Sequence, residues 1–179
     1  IWTLRDINTE VQKSLNLLQA AEYDELTGVL NRASTTKQIQ QTLEQNAQAQ
    51  HALLILDVDN FKSLNDTYGH QAGDRFLTTL AKALRNCFRD NDIVGRIGGD
   101  EFFVLMKNVP SSTIVAEKAT TLLGVSRVFC DEYPTLDLSI SIGICLSPIN
   151  GSDLDTLYAN ADKALYQAKR KGKNQFVFA

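Results

Sequence analysis

The sequence predicts an α+β domain: a central antiparallel sheet of split β-α-β order, flanked by helices and preceded by an N-terminal helix. Three observations carry this expectation. Residues 52–56 form an unbroken apolar run ending in Asp57, the pattern of a strand buried on both faces. Phe76, Leu80, Leu84 and Phe88 recur every four residues, which gives a helix facing a core. Residues 92–97 and 101–106 are β patterns joined through Gly98-Gly99, a pair able to take the positive φ angles of a two-residue hairpin. Strand, crossover helix and hairpin in that order begin a ferredoxin-like palm.

The elements follow from local pattern. In residues 1–22, Ile1, Leu4, Asn8, Val11, Leu15 and Leu18 are spaced alternately by three and four, a short heptad seam. An Asn within such a seam fixes register and strand number, as in a parallel dimerising helix; an amphipathic helix packed on its own domain fits equally. One further unit spans 23–179. A connector over 24–32 leads to a polar, Gln-rich helix over 33–49 that covers a surface. After the hairpin, Ser111 or Ser112 caps a helix with Val115, Ala119, Leu122 and Val125 inward. Residues 136–146 alternate strictly, with Leu136, Leu138, Ile140, Ile142, Ile144 and Leu146 on one face of a strand. Ser152 with Asp155 opens a last helix, Gly172 closes it, and residues 175–178 add an edge strand.

Composition narrows the function classes. A net charge of -3 makes nucleic acid a poor partner, so any phosphate site must be built from a few local cations. Cys87, Cys130 and Cys145 lack metal-ligand spacing and suit buried, reduced thiols in a cytoplasmic domain. No apolar stretch is long enough to span a bilayer, and no basic-then-apolar stretch resembles a signal peptide. The chain begins at Ile1 rather than methionine, so an upstream sensory or membrane-anchoring region is expected in the full-length protein.

In a split β-α-β sheet the first strand neighbours the hairpin, so Asp57 and Asp100 converge at one rim. Two carboxylates that close repel by about 3–4 kcal/mol at an effective dielectric near 20, which a bound cation relieves. Mg²⁺ suits such a site because it takes few carboxylates and keeps positions for water and phosphate. Solvated strand-end acids are the plain alternative. Asp57 to Asp66 runs from strand into a short helix whose N-H groups and Lys62 offer an anion site, with Asp59 as the helix cap. Asn65 and Asp74 supply the amide and carboxylate that read a purine edge bearing an amide oxygen and an amine; local capping is the alternative.

Gly98-Gly99-Asp100-Glu101-Phe102 preceded by Arg96, with Asp57 to Asp66, Gly69-His70 and Gly73-Asp74, closely resembles the GGDEF-domain diguanylate cyclases. The likeness extends to Asp24 to Arg32, to Ser141-Ile142-Gly143-Ile144 and to Ala164-Leu165-Tyr166-Gln167-Ala168-Lys169. It implies that Asp57, the Val58 carbonyl and Asp100 hold Mg²⁺ (or Mn²⁺), and that Glu101 completes the metal site or assists deprotonation. It implies that Asn65 and Asp74 read guanine beside Phe61, that Gly98 and Gly99 admit the nucleotide, and that Lys62, Lys169 and Lys173 hold the triphosphate. Lys173 stands where the family usually has Arg, which keeps the charge and loses the planar fork. Arg89 and Asp92 match the family's Arg-x-x-Asp inhibitory site for cyclic di-GMP; a helix C-terminus followed by a loop is the structural alternative. Members join two GTP molecules into cyclic di-GMP across a homodimer. A module that has lost turnover and senses cyclic di-GMP or GTP, and a palm cyclase acting on another nucleotide, are the competing readings.

Overall fold

The computed structural model describes residues 21–127, 129, 133 and 137–179. The proposed seam at Ile1 to Leu18 lies outside them, as do Cys130 and Leu136.

The described elements are α1 (Arg32–Gln45), β1 (His51–Asp59), α2 (Phe61–Tyr68), α3 (His70–Cys87), β2 (Ile93–Arg96), β3 (Glu101–Met106), α4 (Ser112–Leu123), β4 (Ser139–Ser147), α5 (Leu154–Arg170) and β5 (Phe176–Phe178). They form one five-stranded sheet in the order β2-β3-β1-β4-β5. β3 inserts between β1 and β2, which is the split β-α-β arrangement, and β1 pairs antiparallel with both β3 and β4. The fold is the expected palm. β5 adds a parallel edge to β4.

Alternation along the strands sorts side chains to two cores. Leu54, Leu56, Phe102, Val104, Ile142 and Ile144 pack with Phe76, Leu80 and Leu84 of α3 and with Val115 and Ala119 of α4. Leu53, Ile55, Phe103, Leu105 and Cys145 face α1 and α5 through Ile39, Leu43, Leu157 and Leu165. Each such Leu, Ile or Phe contributes about 1.5–3 kcal/mol on burial. Among the described residues no helix is long and apolar enough to cross a membrane. Burial raises the Cys87 thiol and pushes Cys145 up to about 11, as expected of packing thiols.

Several local expectations need correction. α1 ends at Gln45, four residues before 49, where Asn46 takes a non-helical conformation. Ser111 occupies the N-cap of α4 without a side-chain cap bond. Asp153, not Ser152, caps α5 by accepting from the Thr156 N–H at 2.9 Å. Gly98 and Gly99 are not among the positive-φ residues, so the hairpin is no two-residue primed turn. Its loop runs over 97–100 and closes with Ile97 N–H to the Glu101 carbonyl at 2.9 Å.

His51, at the start of β1, is 1% exposed. Its Nδ1 accepts from the Asn108 N–H at 3.4 Å. Burial lowers its pKa below 6.5; the Asn46 carbonyl opposes the shift, and the Lys107 charge adds to it. Below that pH the unfolded chain therefore binds the proton more readily than the folded one, and stability falls with acidification. The slope for one such group is at most about 1.4 kcal/mol per pH unit. Urea midpoints compared between pH 7.5 and pH 5.5 should drop less in His51→Gln than in the parent. Equal drops would remove His51 as the cause.

Candidate active site

At the C-terminal end of β1 the sheet register pairs Asp57 with Glu101 on one side and with Ser141 on the other. Val58 N–H donates to the Asp100 carbonyl at 3.3 Å, so the loop acid follows directly from the strand pairing. Burial raises the Asp57 pKa, the Lys169 ammonium opposes this, and the Asp100 and Asp59 charges add to it. Burial also raises Glu101, followed by the charges of Asp57, Asp162 and Asp100, with Lys169 opposing. These acids converge as expected. Lys169 Nζ lies 2.7 Å from Asp57 Oδ1, a cation already at the carboxylate.

The loop is held from outside. Arg96 Nε and Nη2 both donate to the Gly99 carbonyl, at 3.2 and 2.7 Å, while Nη1 reaches Asp24 at 3.1 Å. Asp24 in turn accepts from the Thr27 N–H at 2.9 Å and from its hydroxyl at 2.6 Å. Burial would raise Asp24, but the Thr27 and Arg96 hydrogen bonds outweigh it and hold the carboxyl below its usual range. The connector also lies along β2: Leu30 N–H donates to Val94, and Arg96 N–H to Leu30. Nothing near Asp24 in the sequence reveals this role, because its partner lies 72 residues away.

Gly98 and Gly99 meet no internal demand of the fold. A Cβ on Gly98 would find only ordinary contact with Glu101, 3.5 Å away, and one on Gly99 would meet nothing within 4 Å. Their backbone faces open space beside the acids, where a ligand can approach closely.

A second group forms where α2 meets α3. Gly73 admits Asn65 so closely that a Cβ there would stand 2.0 Å from Asn65 Oδ1 and 3.1 Å from Phe61 Cζ. Asn65 Oδ1 is buried and accepts no hydrogen bond. Asp74, next in sequence, is exposed. Phe61 and Asn65 thus pack together against Gly73, with Asp74 exposed beside that contact. Lys62 is exposed on α2. Asp59 does not cap that helix: Asn60 is its N-cap, and the Asp59 carboxylate is buried beneath the strands, accepting from the Ser139 and Ser141 hydroxyls. Lys173 Nζ donates to Asn60 Oδ1 at 2.7 Å.

Arg89 and Asp92 lie at the other end of β2, a four-residue strand spanning about 13 Å. They border a cleft of about 270 Å³ shared with Tyr23, Gly28, Arg85 and Asp90. Both Asp92 oxygens accept backbone N–H groups, of Arg89 at 3.0 Å and Lys107 at 2.9 Å, so this acid holds the loop. The guanidinium of the exposed Arg89 is the more available of the pair.

Comparison with known proteins agrees with this architecture. Residues 21–175 match the family model described as diguanylate cyclase, GGDEF domain. Diguanylate cyclase DgcM of Escherichia coli is 36% identical over 98% of this chain and 43% of its own length. Cyclic di-GMP phosphodiesterase PdeR of Escherichia coli is 34% identical over 96% of this chain and 26% of its own. The chain therefore spans less than half the length of these curated relatives. The isolated GGDEF domain of TpbB (YfiN) from Pseudomonas aeruginosa superposes with a TM-score of 0.80 at 33% identity, covering 88% of this chain and 94% of that one. With the palm sheet and the Gly-Gly-Asp-Glu-Phe loop in place, this chain belongs to the GGDEF-domain family, whose members here include relatives of both diguanylate cyclases and cyclic di-GMP phosphodiesterases.

Proposed function

We propose that this domain is a diguanylate cyclase that condenses two GTP molecules into cyclic di-GMP with release of two pyrophosphates, each subunit of a homodimer holding one GTP. The observation that carries the reading is the loop at Gly98-Gly99, two glycines that the fold itself does not require, beside the acids Asp57, Asp100 and Glu101.

The donor set fits Mg²⁺ or Mn²⁺. Among the described residues no three acids form a ready coordination cluster. Magnesium, however, is held by one or two carboxylates together with substrate phosphates. Asp57, the Val58 carbonyl and Asp100 would hold it, with Glu101 as a further ligand, and the crowded acids supply the excess negative charge a cation relieves. When bound, the metal would neutralise charge at the phosphates and favour the alkoxide form of the attacking hydroxyl.

The chain's own residues supply the rest. Asn65 and Asp74 would read the guanine edge, and Phe61 would pack against the base. Lys62, Lys169 and Lys173 neutralise the triphosphate. In each half-reaction the 3′-oxygen of one nucleotide bonds to the α-phosphorus of the other as the bond to the β-phosphate oxygen breaks. The hydroxyl proton must leave, and the raised pKa of Glu101 suits it to receive that proton if it is not a metal ligand. The two nucleotides sit on separate subunits, so positioning is a property of the dimer. Arg89, with Asp92 fixing its loop, would bind the product and restrain turnover.

Incubation with GTP and Mg²⁺ should release two pyrophosphates per cyclic dinucleotide, with specific activity rising with protein concentration. No pyrophosphate at high concentration, with GTP or cyclic di-GMP still bound, would leave a sensor module. A preference for ATP would instead make it a palm cyclase of different specificity.

A further inference from the structure

Just after α5 the chain runs through three residues of positive φ: Gly172 at 118°, Lys173 at 61° and Asn174 at 46°. Gly172 belongs there. Lys173 N–H bonds the Ala168 carbonyl at 3.1 Å and Gly172 N–H the Lys169 carbonyl at 3.5 Å, the two bonds of a Schellman cap. Asn visits the left-handed region readily, but Lys stays there only when its surroundings hold it.

The holding groups are two consecutive residues at the end of β1. Asp59 is 3% exposed. Its carboxylate accepts from Ser139 Oγ at 2.7 Å, from Ser141 Oγ at 2.9 Å and from the Asn174 N–H at 3.4 Å. Asn60, itself left-handed at φ 61°, donates from Nδ2 to the Asp137 carbonyl at 2.6 Å and accepts from Lys173 Nζ at 2.7 Å. One residue thus ties down the backbone of the turn, and the next ties down the ammonium. Both directly follow Asp57 and Val58. A Lys side chain is a flexible point charge without the rigid fork of Arg, so it needs an outside partner to stand in one place.

We propose that Asp59 and Asn60 are positioning residues that fix Lys173 as a phosphate-binding cation, coupling its location to the strand that carries Asp57. This rests on the reading of GTP as substrate. Neither residue touches the nucleotide in this account. Their effect is confined to ligands long enough to reach Lys173.

The test uses α,β-methylene GTP, which resists turnover, and GMP, each titrated calorimetrically with Mg²⁺ into the parent, Asn60→Gly, Lys173→Met and the double variant. Glycine keeps the left-handed backbone at 60 and removes only the side chain. Asn60→Gly should weaken the analogue about fivefold and Lys173→Met about tenfold, as for loss of a charge-assisted contact, while GMP stays within about twofold. The double variant should bind no more weakly than Lys173→Met. Additive losses, equal weakening of GMP, or an Asn60→Gly protein that binds like the parent overturn the coupling while leaving the GTP reading intact. A parent that binds neither ligand overturns both. Asp59→Ala should repeat the Asn60→Gly pattern in folded protein, but the Asn60 and Lys173 variants decide the matter without it.

Discussion

Asp57→Asn is expected to lower the rate of pyrophosphate release by roughly 10²–10³-fold, the cost of losing a preorganised charge at a reacting phosphate. Its melting temperature should be unchanged or slightly higher. The substitution is nearly isosteric and leaves the backbone pairing of residue 57 with Glu101 and Ser141 in place. What it removes is a charge held against burial and against the charges of Asp100 and Asp59. Because the folded protein raises Asp57 above its ordinary 3.8, it binds that proton more readily than the unfolded chain does. Ionisation therefore costs stability as pH rises from 3.8 through the raised value, and at neutral pH the whole cost is present. The amide abolishes it and gives up the Lys169 ion pair, whose partly exposed geometry makes it a modest contributor. A pyrophosphate-coupled assay and a thermal melt on the same sample separate the two effects. Normal turnover, or a melting temperature lower by more than about 5 °C, equivalent to a loss of roughly 1.3–2.5 kcal/mol or more, would mark Asp57 as structural.

The parts of this molecule that were legible in the sequence are those fixed by local period. The runs over 52–56 and 136–146 predicted the strands described as β1 and β4, because burial on both faces, or strict alternation, leaves few other solutions. The rim acids followed from topology alone. The failures share one cause, a partner remote in sequence. Asp59 looked like a helix cap because a cap lies one residue away, whereas Ser139 and Ser141 lie 80 and 82 away. Asp24 carried no visible role until the sheet brought Arg96 to it. Gly98-Gly99 suggested a two-residue primed turn, but Ile97 and Asp100 also belong to the loop, and the glycines keep negative φ or extended backbone. Their value lies in the space outside the chain, which no spacing rule reports.

Gly143 shows the converse, a residue of the family motif whose reason is internal. It lies on β4 between Ile142 and Ile144, which face the α3 side, so its own face turns to α5. A Cβ there would stand 2.0 Å from the Ala161 carbonyl oxygen and 2.5 Å from the Leu165 N. Both are helix backbone atoms, so no rotamer change makes room. The helix must lift from the sheet or the strand must bend. Ala161, Ala164 and Ala168, all buried, show that α5 is built from small residues for this close approach. Gly143→Ala should therefore cost about 3 kcal/mol or more, at the upper end of overpacking, and lower the melting temperature by roughly 6–12 °C. Gly124→Ala is the matched control, since nothing lies within 4 Å of a Cβ there and the backbone is helical. It should be neutral. Because α5 also carries Lys169 to Asp57, lifting the helix should reduce turnover even well below the melting transition, where the protein remains folded. A Gly143→Ala protein that melts within about 2 °C of the parent would show that α5 does not pack against β4 at this distance.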